Sequence, residues 1–337
     1  MPRPDLKRKN FHCLRKPYRG WPNPLTTGAR NESSGARRKD RRATPVWIAA
    51  IMLQLPMTKA ARPIALLALA LAATLNAAPI PENLRQNGWF IGAQAYTFKE
   101  FSAFEAIAKT KQAGGNVIEF YPGQVLKPGS ADKVHHTMSE AAMTELRAEC
   151  VRVGVRPVNY GVVAAKDGEE VRAIMGFAKK LELYSVCTES TERVADWEAA
   201  AKEFDLRVAF HEHGGSMAEP DYKVWHPLYI LGVVESRDPR IGACADLGHW
   251  CTSNLKPIDC LRILSGRIIS VHLKDKAATG EADVVVAGKG VVDVAACLEE
   301  LKRQKFDGHI SIEHENDWMD SVPQVRADID FVKAHAQ

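Results

Sequence analysis

The sequence lacks the cysteine spacings that mark small cysteine-rich domains. Its 337 residues include only seven cysteines, which are scattered along the chain and form no C-x-x-C pair. A C-x-x-C metal or redox motif is therefore excluded. We expect the cysteines of this large domain to be mostly buried small apolar residues, with one disulfide at most.

An excess of positive charge is also missing from most of the chain. The formal net charge is +4, but residues 1–56 alone contain 13 Lys and Arg against 3 Asp and Glu. The remaining residues contain 32 basic and 38 acidic side chains and are mildly acidic. A surface that binds nucleic acid needs clustered positive charge, so this class of protein is disfavoured.

The N-terminal apolar run is too short for an ordinary membrane span. It extends over about 12 residues, from Ile64 to Leu75, whereas a bilayer span needs about 20. Two basic residues precede it and small residues follow, which is the pattern of a secretory signal at 57–78 with cleavage near Ala77 or Ala78. An uncleaved anchor is the alternative. We predict that the protein starts at Met57 and is exported to the periplasm, and that residues 1–56 are a disordered or spurious extension.

Eight short apolar, β-rich runs alternate with helical patterns over about 245 residues. Three patterns have apolar residues at helical spacing and end in Gly, at 100–114, 139–154 and 292–308. This order and length predict a single-domain (β/α)8 TIM barrel at 89–335. An open doubly wound sheet is the competitor, but no Gly-rich phosphate loop follows the first run. The predicted strands are 90–98, 116–122, 156–163, 184–189, 207–213, 241–250, 267–275 and 309–315.

Polar residues concentrate where the predicted strands end, which is the catalytic face of such a barrel. The last four strands each contribute a candidate metal ligand: His211 or His213, then Asp246, His272 and Glu313. Two imidazoles and two carboxylates suit one divalent ion, such as Mn²⁺, Co²⁺, Zn²⁺, Fe²⁺ or Mg²⁺. A single strand histidine is usually structural, but four candidates on successive strands favour a metal site.

Other polar and aromatic residues allow two interpretations. Glu119 and Glu189 are candidates for catalysis and substrate binding, or they pair with basic residues around the rim. Trp250 is a candidate for sugar binding, although a tryptophan more often serves packing. Lys274 lies two residues beyond His272, and we expect it to face whatever the metal holds.

Four motifs occur in the order HEHGG, ADLGHW, VHLKD and ISIEHE, at 211–215, 245–250, 271–275 and 310–315. As a set they resemble the sugar phosphate isomerase/epimerase superfamily, which has a xylose-isomerase-like barrel, and its exported branch. The resemblance covers residues 89–335. It implies metal ligands Asp246, His272 and Glu313, with His213 at the position where the epimerases have a Glu, and it implies that His249 binds substrate.

The resemblance implies proton transfer next to the carbonyl of a sugar or keto-sugar. The expected catalytic residues are Glu313, Lys274 and Glu119, and the expected substrate-binding residues are His249, His211, Glu189 and Trp250. Because this chain has His213 where the epimerases have a Glu, a lyase that acts on a 3-keto-glycoside or inosose-like substrate is an alternative. A non-catalytic sugar-binding barrel is the third option. The expected partner is a small carbohydrate and no nucleic acid, and a homo-oligomer is left open.

Overall fold

Eight parallel strands close into a barrel in the computed structural model of the chain, which describes residues 77–335. Each strand pairs with its neighbours in sequence, and the last strand pairs with the first through Phe90–Ala93 and His309–Ile312. The predicted TIM barrel is confirmed. The strands are β1 Phe90–Gln94, β2 Val117–Phe120, β3 Arg156–Val163, β4 Ser185–Thr188, β5 Arg207–His211, β6 Ile241–Asp246, β7 Ile268–Leu273 and β8 His309–Ile312.

Helices connect the strands and cover the outside of the barrel. They are α1 Ala103–Ala113, α2 Glu140–Val153, α3 Gly168–Lys180, α4 Val194–Phe204, α5 Pro227–Val234, α6 Leu247–Thr252, α7 Pro257–Ile263, α8 Val294–Arg303 and α9 Val322–Ala334. Short 3₁₀ turns occupy Glu82–Leu84, Ala95–Phe98 and Thr191–Arg193, and Asp275–Lys276 pairs with Val284–Val285 in a small antiparallel ladder. Within the described range, no helix combines the length and apolar character needed to cross a membrane.

Local sequence signals set the helix ends. Ser102 caps α1, and its hydroxyl and the Glu105 carboxylate satisfy each other's backbone N–H groups in a capping box. Gly114 and Gly154 end α1 and α2 in the left-handed conformation that glycine adopts without strain. The prediction that the third pattern runs to a glycine was wrong, because α8 ends at Arg303 and Lys305 already has a φ of 57°.

The predicted strands were correct in number and order, but most extended too far at their C-terminal ends. The clearest case is the run at 241–250, where β6 ends at Asp246 and the next six residues form α6. Asp246 caps this helix by accepting a hydrogen bond from the His249 N–H. A buried apolar run can form either a helix or a strand, so the spacing of apolar residues in 241–250 does not show where the strand ends and the helix begins.

A short segment before β1 covers the N-terminal end of the barrel. Ile80 is buried there against Phe90, Val117 and Val158. Arg207 donates hydrogen bonds to the carbonyls of residues 77 and 78, at 2.7 and 2.9 Å. The predicted extension at 1–56 and the predicted signal up to residue 76 lie outside the described residues.

All six cysteines in the described part of the chain are buried free thiols, as expected for buried small residues, and none of them forms the one disulfide that the sequence left possible. The closest approach is between Cys187 and Cys244, whose sulfurs meet inside the barrel. Their strands, β4 and β6, are separated by β5. Two strand spacings amount to roughly 9 Å, which is too far for the Cα separation that a disulfide requires.

Candidate active site

The C-terminal ends of the strands surround a cavity of about 430 Å³. This volume lies within the range of small-molecule sites. The acidic and imidazole side chains that line it all follow β4, β5, β6 or β8. They are Glu189, His211, His213, His249, Glu313 and Glu315.

Asp246 occupies the centre of this polar cluster. Its Oδ1 is used by the helix cap, so Oδ2 is left for the cluster. Oδ2 lies 3.2 Å from Lys274 Nζ and 3.4 Å from His211 Nε2. Burial alone would raise the pKa of Asp246, but the adjacent His249, Lys274 and other cationic or donor groups hold it well below its ordinary value. The carboxylate is therefore ionised in the site.

His272 is fixed from below by a buried carboxylate. Its Nε2 lies 3.0 Å from both oxygens of Glu119, and Ser311 donates a hydrogen bond to the same carboxylate. Its Nδ1 faces upward, 3.2 Å from Glu313 Oε2. Such a carboxylate–imidazole pair sets the orientation of the ring. Glu119 was predicted to be catalytic, but the structure places it beneath His272, fully buried and away from the cavity lining.

His211, the last residue of β5, joins the cluster from the other side. Its Nδ1 lies 3.0 Å from Glu189, which also accepts a hydrogen bond from the Tyr222 hydroxyl at 2.9 Å. Burial opposes the charged imidazole, but Asp246 and Glu189 raise the pKa of His211 to about 10. The structure thus brings together His211, Glu189 and Asp246, three of the candidate site residues.

Lys274 is fully buried among three carboxylates. Its Nζ lies 2.8 Å from Glu313 and from Glu315, in addition to its contact with Asp246. Burial would lower the pKa of the ammonium group, but these carboxylates raise it well above its ordinary value. Nζ also lies 3.2 Å from His249 Nε2. Burial lowers the pKa of His249 well below its ordinary value, so its neutral ring can accept this hydrogen bond.

Two predicted site residues lie away from the centre. His213 is exposed at the rim, where its ring packs on His249 at 4.2 Å between centroids. In an unbroken strand His211 and His213 would point to the same face, but β5 ends at His211. Trp250 lies on α6, fully buried, and its indole N–H donates to Glu212 at 2.7 Å. It does not line the cavity.

The cluster fits a divalent cation. Ligand atoms of His211, Asp246 and His272 all lie within 4.8 Å of one another. Within the described part of the chain, His272 Nδ1 is buried and makes no hydrogen bond of good geometry, although it faces Glu313 Oε2 at 3.2 Å. A buried polar atom normally has a partner, so an unpaired imidazole nitrogen that faces a carboxylate indicates a ligand site. In this arrangement His211, not His213, is the β5 residue that reaches the centre.

Sequence reasoning did not commit to two residues that the structure brings into the site. Glu315 contacts Lys274, and its place two residues after Glu313 was the available signal. Tyr222 bonds Glu189 from the loop after β5. Nothing in the loop sequence separates this tyrosine from a packing residue, because the bond depends on how the loop folds back.

Comparison with known proteins agrees with the barrel fold. The model of the xylose isomerase-like TIM barrel family matches residues 182–335. An uncharacterised protein of Parabacteroides distasonis of known crystal structure is 30% identical, with 73% of this chain and 99% of that chain covered at a TM-score of 0.60. The chain belongs to the xylose isomerase-like TIM barrel family.

Two further proteins are similar to this chain, one in fold and one in part of its sequence. D-allulose 3-epimerase from Methylomonas sp., solved with D-allulose, is 16% identical over 77% of this chain and 100% of its own, with a TM-score of 0.57. Rhizopine catabolism protein MocC of Rhizobium meliloti is 30% identical over 146 residues, or 39% of this chain. The match spans 41% of MocC, less than half of that relative's length.

Proposed function

We propose that this protein is a divalent-metal-dependent enzyme that moves a proton next to the carbonyl group of a sugar or keto-sugar. The observation that carries the proposal is the buried cluster of Asp246, His211, His272 and Glu313 around Lys274 at the barrel mouth. Sugar chemistry is supported by the D-allulose 3-epimerase and L-ribulose 3-epimerase among the structures that share the fold.

In this proposal the metal is held by His211, Asp246, His272 and Glu313. A bound divalent ion would polarise the substrate carbonyl and make the neighbouring C–H more acidic. The predicted ligand His213 is replaced in this set by His211, because only His211 lies with the other donors. Glu119 keeps the His272 ring in place and is assigned a positioning role.

Glu313 is the proposed proton acceptor. It lines the cavity, and its Oε2 lies 2.8 Å from Lys274 Nζ and 3.2 Å from His272 Nδ1. Burial raises its pKa, but Lys274 and His272 depress it below the ordinary value, so the carboxylate is ionised and able to accept a proton. Lys274, protonated and 2.8 Å from Glu313, is the proposed donor to a substrate oxygen. Glu189 and His249 would bind substrate hydroxyls.

Two outcomes follow from the same first step. If the carbon that lost its proton is protonated again, the enzyme is an isomerase or epimerase. If the substrate carries a glycosidic oxygen on the next carbon, the electron pair left by the proton forms a C=C bond and the C–O bond breaks. The leaving oxygen takes a proton from Lys274 and departs as an alcohol, which makes the enzyme a lyase. The Lys274 ammonium group lies beside Glu313 and can protonate a leaving oxygen, so the lyase reaction is retained as an alternative.

The test follows hydrogen exchange by NMR in D₂O with a panel of ketoses and 3-keto-glycosides. We expect deuterium to enter the carbon beside the carbonyl, exchange to stop on chelation, and elemental analysis to find one divalent ion per chain. The products then separate isomerase from lyase. Glu313→Gln should reduce exchange at least 100-fold, whereas the exposed control Glu299→Gln should leave it unchanged. Full exchange by Glu313→Gln would refute the assigned base. Bound metal without any exchange would favour a sugar-binding barrel.

Export to the periplasm is proposed from the sequence alone. The signal pattern at 57–78 motivates it, with a start at Met57. N-terminal sequencing of the native protein is the test. A mature chain that begins near residue 78 supports the proposal, and one that begins before Met57 contradicts it.

A further inference from the structure

Aromatic side chains line the cavity on the solvent side of the polar cluster. Tyr96 and Tyr121 line the same cavity as Glu313, and Trp318 packs on Tyr96 from the loop after β8. These three side chains are called the aromatic wall below. Proton transfer as proposed above does not use them.

The aromatic wall lies nearer to solvent than the cluster. Tyr96 is 38% exposed, and Tyr121 and Trp318 are half-buried, whereas Asp246 and His272 are fully buried. Tyr96 and Tyr121 lie just beyond the C-terminal ends of β1 and β2, at the mouth of the barrel. A sugar ring whose oxygens reach the buried cluster would therefore lie deeper than the aromatic wall. The wall would then face any part of the ligand that extends from that ring toward solvent.

The wall is held in a defined shape. Tyr96 meets Tyr121 edge to face, with centroids 5.3 Å apart and an angle of 82°, and it meets Trp318 at 5.9 Å and 83°. The Gln94 side chain accepts a hydrogen bond from the Tyr96 N–H at 2.6 Å and donates another to the Gly161 carbonyl at 2.9 Å. The rings are therefore positioned before any ligand binds, which lowers the entropic cost of binding.

The chemistry of the wall suits a sugar ring bound by its C–H face. Aromatic faces provide apolar area, and the Tyr96 and Tyr121 hydroxyls make no side-chain hydrogen bond within the described residues, so they can bind ligand hydroxyls. Lys99 Nζ lies over one face of the Trp318 ring, 3.5 Å from its centroid, and over one face of the Tyr96 ring, 5.0 Å from its centroid. Tyr96 is exposed, held in one orientation and next to a polar cavity. It is therefore placed to bind a ligand that has both hydroxyl groups and an apolar C–H face.

We propose that the aromatic wall is a subsite for a second ring, and that the substrate class is glycosides of at least two rings. The ring with the carbonyl would lie over the cluster, and the ring that leaves would stack on Tyr96. This inference rests on the proposed function and deepens it, because a leaving-group subsite belongs to the lyase outcome.

The first experiment compares kcat/KM for a 3-keto-disaccharide with that for the corresponding methyl 3-keto-glycoside, which has one ring. Tyr96→Ala should lose about tenfold on the disaccharide, the order expected for one aromatic stacking contact, and less than twofold on the methyl glycoside. Tyr96→Phe, which keeps the ring face, should stay within about threefold of the unchanged protein on both. Val125→Ala is the matched control, since Val125 is also 38% exposed but does not line the cavity. Equal losses on both substrates, or no loss on either, would overturn the subsite.

A second experiment separates this inference from the proposed reaction. Calorimetry would measure binding of trehalose, methyl maltoside, methyl cellobioside and methyl glucosides, which are non-reducing, carry no free carbonyl group and cannot enolise. Selective weakening of disaccharide binding by Tyr96→Ala supports the subsite even if the protein enolises no keto-sugar, in which case only the proposed reaction fails. Disaccharide binding that Tyr96→Ala leaves unchanged overturns the subsite even if enolisation is found.

Discussion

Asp275, the last residue of the VHLKD motif, anchors a loop through both of its carboxylate oxygens. Its two carboxylate oxygens accept four backbone hydrogen bonds, from the N–H groups of Lys276, Gly288, Gly290 and Val292, at 2.8 to 2.9 Å. These donors hold the loop between the small ladder and α8 against the end of β7. Replacing Asp275 by Ala is expected to destabilise this part of the barrel rather than to alter chemistry.

The size of the effect depends on which donors water can reach. Gly288 is exposed and Gly290 is half-buried, so their N–H groups can hydrate when the carboxylate is lost. Lys276 and Val292 are buried, and each unsatisfied buried donor costs about 1–3 kcal/mol. Two such donors give a loss in unfolding free energy of about 4 kcal/mol for Asp275→Ala.

A matched control is provided by Asp293, which caps α8 through a single hydrogen bond to the Ala296 N–H at 3.0 Å. Asp293→Ala should cost about 1 kcal/mol. Asp275→Asn should cost less than Asp275→Ala, because the amide oxygen can still accept from the buried Lys276 and Val292 N–H groups, while the NH₂ group replaces the oxygen that faces Gly288 and Gly290.

The assay is thermal unfolding followed by circular dichroism at a fixed protein concentration. The Tm should fall by roughly 10 °C for Asp275→Ala and by about 3 °C for Asp293→Ala. If Asp275→Ala lowered the Tm no more than Asp293→Ala, the four hydrogen bonds would not carry the stability assigned to them. The reasoning would then be wrong.

Three further changes can be predicted. Trp250→Phe should lower the unfolding free energy by about 2–3 kcal/mol in urea titrations, because Glu212 loses its indole donor in a fully buried position; an unchanged midpoint would contradict this. Lys274→Met should cost about 3 kcal/mol by the same assay, since three carboxylates lose their buried counter-charge; a more stable variant would contradict the assigned charges. The hydrogen bond from Arg303 lowers the pKa of Glu300 to about 2, so its contribution is present above pH 4.5 and is lost as the pH falls toward 2. Glu300→Gln should therefore lower the free energy of unfolding at pH 7 by about 2 kcal/mol, a value reduced for solvent screening because Arg303 is largely exposed. The stabilities of Glu300→Gln and the unchanged protein, measured against pH, should converge near pH 2.

Much of the architecture could be predicted because its signals are local. Each strand is a short apolar run, and each helix has a face of apolar residues with caps such as Ser102 and Gly114. The repeated order of these elements points to one closed barrel, since a barrel removes the sheet edges that an open arrangement would leave. Asp246, His272 and Glu313 could be predicted as neighbours because strand ends of a barrel meet on one face.

Other features could not be read in this way, because they depend on where a strand stops. His211 and His213 are equivalent in an alternating pattern, yet β5 ends between them, so one is buried at the centre and the other is at the rim. Glu119 and Trp250 carry groups suited to a site, but the packing around them buries both side chains outside the cavity lining.

The sequence by itself determined the order of strands and helices, the face that carries the polar residues and most of their identities, because these follow from short-range periodicity and turn chemistry. Only the tertiary structure decided which nitrogen or oxygen atoms converge, that Lys274 lies between three carboxylates, and that Tyr96, Tyr121 and Trp318 form a wall over the same cavity. These contacts join residues far apart in the chain. Their distances are set by barrel closure and loop packing, on which local patterns place no constraint.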